Sequence, residues 1–275
     1  MTISAPAKLN LTLRVLGKRE DGYHELETLM VPIPGLADQL QIEPAESYSL
    51  EVVGAEIGPV EENLVTQALR LFEERTGVSC SYRVRLEKNV PAGAGLGGGS
   101  SDAAAILRAL VQLEEVGLEG VELEEMAAQL GSDVPFFLRE GPCWCRGRGE
   151  LLEPAEVRPC DVLLLKPGFG VDTVDAYRRW SESRELPDVR YESQRVNGMD
   201  LVNDLERPVF EKFLFLAELK MWLREQFEVQ STLMSGSGAT VFAVLHDADS
   251  AGRVAARAQQ ELDSRLWWWA GRIGE

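Results

Sequence analysis

The sequence predicts an α+β protein of two domains, and three observations carry that prediction. The chain has 275 residues, more than one hydrophobic core usually serves when domains cluster at about 100–150 residues. Segments with period-2 alternation of apolar residues are interleaved with segments of helical spacing, so strands and helices both form. A glycine-rich break at 147–150 and a polar stretch to Arg158 interrupt the pattern, which divides the chain near residue 150 into domains 1–150 and 151–275.

Near the N-terminus Leu9, Leu11, Leu13 and Val15 alternate with Lys8, Asn10, Thr12 and Arg14, the pattern of a half-buried strand with Lys8, Asn10 and Thr12 on one face. Asp21-Gly22 marks a turn, and a second strand containing Tyr23, His24, Leu26 and Leu29 returns His24 toward the first as a hairpin. Residues 62–75 have helical spacing and Gly77 stops them. Residues 80–88 alternate with Tyr82, Val84 and Leu86 on one side, and the glycine-rich PAGAGLGGGSSDAAA follows. Ser100, Ser101 and Asp102 suit the start of the Ala-rich helix that runs to Leu113. Another helix runs from about Glu122 to Leu130, closed by Gly131, and Ser132-Asp133-Val134-Pro135 forms a loop because a residue before proline is pushed out of helical space.

In the second half the apolar DVLLLKPG is a strand, Val174–Trp180 a helix, and the Arg/Glu-rich segment to Gly198 a connection. A helical region covers about 206–226, TLMSGSGATVFAVL reads as strand, turn, strand, and 249–263 is helical. The tryptophans at 267–269 pack against the domain rather than forming a ligand box.

With 28 Lys+Arg against 45 Asp+Glu, the formal charge is −17. That excludes a polyanion-coating protein, because binding nucleic acid depends on clustered cations that release phosphate counterions. A small anion can still bind at a local positive site of backbone amides and one or two lysines. Lysine occurs only at 8, 18, 88, 166, 212 and 220, so its placement is informative. Cys80, Cys143, Cys145 and Cys160 show no CxxC pair and read as reduced. Residues 1–20 lack an apolar stretch long enough for a signal peptide, and no run approaches the length of a membrane span. The expectation is a soluble, cytoplasmic protein acting on small molecules without nucleic-acid or membrane partners, as a monomer or weak homodimer.

Gly93 to Gly99 contains five glycines between a strand and a helix. Glycine permits positive φ and close backbone approach, and the helix N-terminus aims free N–H groups at a ligand, so phosphate is the natural guest. The alternative is a flexible connector. No lysine follows Gly99, which removes a Walker A loop. Gly93, Gly95 and Gly98 satisfy G-x-G-x-x-G, so a dinucleotide-binding oxidoreductase stays open, although 103–130 reads as helix, linker, helix where that fold needs a strand. Taken alone, Lys8 reads sooner as an exposed edge-strand lysine and Asp133 as a simple turn carboxylate. Beside a phosphate loop they suggest phosphoryl transfer, a carboxylate taking the acceptor's proton and an ammonium steadying the charge. A module that binds nucleotide without catalysis is the third reading. His24 with Tyr23 either stacks on a flat base or is solvated, and Ser235-Gly236-Ser237-Gly238 is either a plain hairpin turn or an anion-facing one. His24 and His246 have no metal-ligand spacing around them.

PAKLNLTLRVLGKREDGYHELETLM at 6–30, PAGAGLGGGSSDAAAIL at 91–107, GSDVPFF at 131–137 and MSGSGATVFAV at 234–244 together resemble the GHMP kinase superfamily. Within it they are most similar to the branch whose acceptor is a cytidine diphosphate-linked methylerythritol. The resemblance implies transfer of the γ-phosphoryl of ATP to the acceptor's 2-hydroxyl, in the non-mevalonate route to isopentenyl diphosphate. It implies an N-terminal domain like ribosomal protein S5 domain 2 and a ferredoxin-like C-terminal domain, with the active site in the cleft between. Asp133 matches the catalytic base and Lys8 the lysine that helps activate the hydroxyl. Pro91, Ala92, Gly93, Ala94, Gly95, Leu96, Gly97, Gly98, Gly99, Ser100 and Ser101 match the ATP phosphate loop, with Asn63 and Lys88 near the adenosine. Asn10, Tyr23, His24, Tyr177, Gly236 and Gly238 match substrate-side positions, Tyr23 and His24 in cytosine recognition with Tyr177 as the opposing aromatic. Mg²⁺ is expected with ATP. No carboxylate of the motifs is assignable as its ligand, which leaves a hydroxyl such as that of Ser101, the phosphates and water.

Overall fold

The structure, a computed structural model, describes residues 1–55, 58–118 and 120–274. The chain begins with two long strands, β1 (Thr2–Lys18) and β2 (His24–Pro44), then β3 (Ser49–Val53), a 3-10 turn (Val60–Glu62), α1 (Leu64–Thr76) and β4 (Tyr82–Glu87). Helices α2 (Gly98–Leu113) and α3 (Gly120–Leu130), a 3-10 turn (Pro135–Leu138) and strands β5 (Cys143–Gly147), β6 (Leu151–Pro154) and β7 (Cys160–Lys166) follow. The remainder is α4 (Thr173–Arg179), β8 (Gln194–Val196), β9 (Met199–Asn203), α5 (Glu206–Lys212), α6 (Leu214–Arg224), β10 (Val229–Met234), β11 (Val241–Leu245), α7 (Ala251–Glu261) and β12 (Trp267–Ile273).

The chain forms two compact units, one of residues 1–8, 36–92 and 97–140 and the other of residues 9–35, 93–96 and 141–275. Where the sequence divides the chain once, near residue 150, the units are discontinuous, because β1 and β2 each continue from one into the other.

In the first unit β4 pairs antiparallel with the C-terminal half of β2, from Gln39↔Glu87 to Pro44↔Tyr82, and parallel with β3. Leu40, Ile42, Val84 and Leu86 are buried from this sheet. Asn63 caps α1 by accepting from the Val65 N–H at 2.8 Å, and Gly77 ends the helix in the left-handed conformation. Ala103, Ala104 and Ala105 are fully buried on α2. Their small side chains let α2 lie close against α1, which contributes Leu69 and Phe72.

In the second unit β7, β10, β11 and β12 form an antiparallel sheet in the order β10-β11-β7-β12, on which α6 and α7 pack. Val162–Leu165 are all buried, as a continuous apolar strand requires. The N-terminal half of β2 pairs with β5, and β5 with β6. β9 runs parallel beside β1 with Thr12↔Val202 and Leu13↔Asn203 in register, and β8 pairs antiparallel with β9.

The N-terminal hairpin forms as predicted, with Gly22 at φ +87 and the Asp21 carboxylate accepting from the Tyr23 N–H at 3.1 Å. Four expectations change. β1 is buried on both faces, with Lys8 3%, Asn10 2% and Thr12 5% exposed, and it is an interior strand between β2 and β9 instead of an edge. Val134 is helical although it precedes Pro135. Hydrogen bonds from its N–H to Gly131 O and from the Phe137 N–H to its own carbonyl hold it there. Gly97, at φ +72, caps α2, so Ser100, Ser101 and Asp102 lie inside its first turns. The region 206–226 is two helices, broken at Phe213 where the backbone leaves helical space. The four cysteines are free and buried. Among the described residues no helix is long and apolar enough to cross a membrane.

Candidate active site

Lys8 projects from a buried stretch of β1, where the fixed direction of a strand side chain carries its ammonium to 3.5 Å from Asp133 Oδ2. The lysine side chain is 4% exposed and that of Asp133 32%. The cation is therefore sequestered while the carboxylate meets solvent. The turn that carries Asp133 runs into the Pro135–Leu138 helix, whose Phe137 packs beside the glycine loop. A Cβ on Gly97 would stand 2.8 Å from Phe137 Cζ and 3.1 Å from Lys8 Cγ. Only glycine lets the end of the loop press against the lysine stem, and so the loop's end and the ion pair share one locus.

Gly93, Gly95 and Gly97 have φ of +59, +71 and +72, a left-handed succession that L side chains rarely adopt. Carbonyls of the loop are engaged. Gly93 O accepts from the Ala239 N–H at 3.1 Å, Ala94 O from the Thr240 N–H at 3.2 Å, and Gly95 O from Ser235 Oγ at 3.0 Å. A Cβ on Gly95 would overlap the Ser235 carbonyl oxygen. From Gly98 the chain becomes α2, whose first N–H groups and positive dipole end are suited to an anion. Ser101 Oγ is buried without a hydrogen-bond partner there.

Beneath the loop lies a cluster of three buried charges. Lys88 Nζ donates to Asp102 Oδ2 at 2.6 Å and to Asp38 Oδ2, while Asp38 Oδ1 accepts from the backbone N–H groups of Asn89 (2.5 Å) and Val90 (2.8 Å). Burial pushes the Asp102 carboxyl up to about 7, the neighbouring Asp38 adding to the rise against the opposing pull of Lys88. Lys88 itself stays an ammonium, its pKa raised because the two carboxylates outweigh the cost of burial. Asn63, the other residue expected near adenosine, uses Oδ1 to cap α1.

In the second unit His24 stacks on Tyr177, ring centroids 5.4 Å apart and planes 27° apart, with Trp180 edge-on at 5.9 Å. Two stacking gaps of about 3.5 Å each are needed to hold a base between rings. The pair therefore offers outer faces, and a base enters between them only if they part. Burial, and then the Lys18 charge, lower the His24 pKa, which favours the neutral imidazole. Tyr23 is 52% exposed, and the Arg148 guanidinium lies 4.6 Å over its ring. The Asn10 carboxamide donates to Thr28 Oγ1 at 2.8 Å, and the Asn10 N–H to Ser235 Oγ at 3.4 Å.

Gly236 (φ +54) and Gly238 (φ +85) shape a buried turn. Its frame comes from residues that the sequence did not single out. Asn203 Nδ2 donates to Met234 O and Gly236 O, both at 2.7 Å. Glu206 accepts from the Met234 N–H at 2.9 Å and pairs with buried Lys220 at 2.6 Å. Asp204 ties this segment to β1 by accepting from the Val15 N–H at 2.8 Å. The only signal for them in the sequence is polar residues directly after a short apolar run. The helix–linker–helix order of α2 and α3 is observed, with no strand of a dinucleotide-binding fold among the described residues between them.

No group of three His, Cys, Asp or Glu side chains converges as a metal site among the described residues.

The pattern for the GHMP kinases N terminal domain matches residues 63–141, and that for the GHMP kinases C terminal matches 192–264. The chain is 44% identical, over 89% of its length and 86% of the relative's, to a 4-diphosphocytidyl-2-C-methyl-D-erythritol kinase of Methylacidiphilum infernorum. It is 43% identical, over 94% of its length and 93% of the relative's, to one of Pelotomaculum thermopropionicum. A crystal structure of 4-(cytidine 5'-diphospho)-2C-methyl-D-erythritol kinase superposes with a TM-score of 0.79 at 39% identity over the whole of both chains. A homoserine kinase from Cytophaga hutchinsonii, at 16% identity and a TM-score of 0.69 over 99% of this chain and 93% of its own, shares the fold.

Proposed function

The chain belongs to the 4-diphosphocytidyl-2-C-methyl-D-erythritol kinases of the GHMP kinase family and is an ATP-dependent kinase, and from that premise we propose how its residues divide the work. The reaction is transfer of the γ-phosphoryl of ATP to the 2-hydroxyl of 4-diphosphocytidyl-2-C-methyl-D-erythritol. The observation that carries the catalytic assignment is the Lys8–Asp133 pair, 3.5 Å apart, with Lys8 against the glycine loop.

In this reading the Asp133 carboxylate takes the proton of the 2-hydroxyl as that oxygen forms its bond to the γ-phosphorus. The bond from that phosphorus to the β–γ bridging oxygen breaks, ADP leaves with the electron pair, and the proton passes from Asp133 to solvent. The Lys8 ammonium holds the carboxylate and steadies the developing charge, and its burial strengthens the attraction. Residues 91–101 cradle the phosphates with backbone N–H groups, with Asn63 and Lys88 bordering the adenosine side. Tyr23, His24 and Tyr177 take the cytosine, and Asn10, Gly236 and Gly238 the remainder of the acceptor. The Ser101 hydroxyl, buried without a hydrogen-bond partner at the start of α2, would help to hold a Mg²⁺ ion, which when bound would supply neutralisation of phosphate charge.

The functional division lies near residue 150, supported by family matches that end at 141 and resume at 192. A ferredoxin-like C-terminal fold is supported by the order β7, α6, β10, β11, α7, β12 around the antiparallel sheet β10-β11-β7-β12. An N-terminal fold like ribosomal protein S5 domain 2 is supported by the mixed pairing of β2, β4 and β3 with α1–α3. Small molecules as the only partners and a cytoplasmic monomer or weak homodimer fit a formal charge of −17, which repels polyanions. The test is product identification by ³¹P NMR after incubation with ATP, Mg²⁺ and the acceptor. A new phosphate monoester at the 2-position supports the reading, and ATP hydrolysis to free phosphate alone contradicts it.

A further inference from the structure

The three buried charges under the loop take no part in the proton and phosphoryl transfer described above. Asp38, at the C-terminal half of β2, is fully buried, and Lys88 and Asp102 have side chains 8% and 4% exposed. Lys88 and Val90 lie at the chain's entry to the loop and Asp102 just after its exit, within α2. Asp38 holds the entry side of this mouth, its Oδ1 accepting the N–H groups of Asn89 and Val90 and its Oδ2 the Lys88 ammonium, and that ammonium bridges to Asp102 on the exit side. The mouth is closed sterically as well. A Cβ on Gly98, the first residue of α2, would stand 3.0 Å from Val90 Cγ1 and 3.4 Å from Asp38 Oδ2. On its outer side Lys88 is fastened to β3, its N–H donating to Val53 O at 2.8 Å.

Removing three charges from water is unfavourable, and buried ion clusters are often no more stable than apolar side chains of the same volume. Stability alone is then a weak reason for this cluster, whereas its geometry ties together the two stems of one loop. We propose that Asp38, Lys88 and Asp102 form a positioning clamp that sets the separation of the last residue of the β4 stem and the first turn of α2, and thereby the spacing of the backbone N–H groups that receive the nucleotide's phosphates. Lys88 borders the adenosine side by its position, while its ammonium, held by two carboxylates, acts through the loop. The proposal rests on the reading of residues 91–101 as the nucleotide loop.

The test measures ATP dissociation by calorimetry together with the KM for ATP, the KM for the acceptor and kcat. The variants are Lys88→Met, which leaves two carboxylates facing each other, and the double variant Lys88→Met/Asp102→Leu, which makes the Asp102 side of the cluster apolar. Asp102→Asn is the conservative control, because its amide oxygen can still accept from Lys88. The double variant is expected to fold with a wild-type circular dichroism spectrum while binding ATP on the order of tenfold to a hundredfold more weakly. Its KM for the acceptor should change less than about twofold, and Asp102→Asn should recover most of the ATP affinity. Wild-type ATP affinity in the folded double variant would overturn the proposal. So would failure of that variant to fold, since the cluster would then determine folding rather than loop geometry. Wild-type protein that binds ATP but does not phosphorylate the acceptor would count against the acceptor assignment alone, and wild-type protein that binds no ATP would remove the loop reading and the clamp with it.

Discussion

Alanine in place of Gly95 or Gly99, four residues apart in one loop, should change stability in opposite directions. At Gly95 the backbone has φ +71, a conformation that costs an L residue roughly 1–2 kcal/mol. The new Cβ would overlap the Ser235 carbonyl oxygen and lie 3.0 Å from both Gly238 N and Gly238 O. All of these are backbone atoms, so no rotamer change relieves the clash and the loop must withdraw from the turn. Withdrawal weakens the bonds from Ser235 Oγ to Gly95 O, from Ala239 N to Gly93 O and from Thr240 N to Ala94 O, each contributing about 1 kcal/mol. The sum is a destabilisation of roughly 4–5 kcal/mol. Gly99 is helical, and its Cβ would meet only Leu64 Cδ1 at 3.6 Å, an ordinary contact. Alanine there should stabilise by about 0.5–1 kcal/mol through lower chain entropy. Its methyl group would stand on the first turn of α2, where the nucleotide's phosphates are proposed to bind, so ATP affinity should fall even as stability rises. Urea unfolding followed by circular dichroism, with ATP titration of the folded proteins, reads both effects. A Gly95→Ala protein within about 1 kcal/mol of wild type, or a Gly99→Ala protein less stable than wild type, would refute the steric reasoning.

Substituting His24 by Ala removes one ring of the His24–Tyr177 stack and should raise the KM for the acceptor at least about tenfold with little change in the KM for ATP; equal losses would contradict the cytosine assignment. Lys220→Met strands the fully buried Glu206 carboxylate and should destabilise by about 3–5 kcal/mol at pH 8. The loss should shrink at pH 5, because burial raises the Glu206 pKa and a protonated carboxyl needs no cation; denaturant melts at both pH values decide. The Asp102 carboxyl is pushed from the usual 3.8 to about 7, so between those values the folded state binds more protons than the unfolded one. Stability should therefore fall as pH rises from 4 to 7, by at most roughly 4 kcal/mol from this group, and the fall should be absent from Asp102→Asn in the same melts.

The N-terminal hairpin and the helix after the glycine loop were legible because local patterns specify them: alternation through residues 8–15, a turn at Asp21-Gly22, and glycines at positions that need positive φ. The burial of the Lys8 face was not legible. Alternation reports a strand, but whether its polar side faces solvent depends on what packs over that face, which the local pattern does not encode. Scarce lysines proved informative in an unexpected way. Lys8, Lys88, Lys166 and Lys220 are all buried at the side chain, held by carboxylates or, at Lys166, by the carbonyls of Pro167 and Phe169. Asp38 and Asp102 could not be joined to Lys88 from sequence, since they lie 50 and 14 residues away from it along the chain. Asn203 and Glu206 likewise acquire their function only when β10 brings Met234 beside them. Val134 shows the opposite failure, a sound local rule about residues before proline outweighed by two hydrogen bonds.

The most direct measurement is ADP release by the purified protein with ATP and Mg²⁺, comparing 4-diphosphocytidyl-2-C-methyl-D-erythritol with the same compound lacking its cytidine, for wild type and Asp133→Asn. The account predicts turnover that requires the cytidyl group, and an Asp133→Asn variant that binds ATP with wild-type affinity but turns over about a hundredfold or more slowly. Equal turnover of both compounds, or an Asp133→Asn enzyme as fast as wild type, would contradict it.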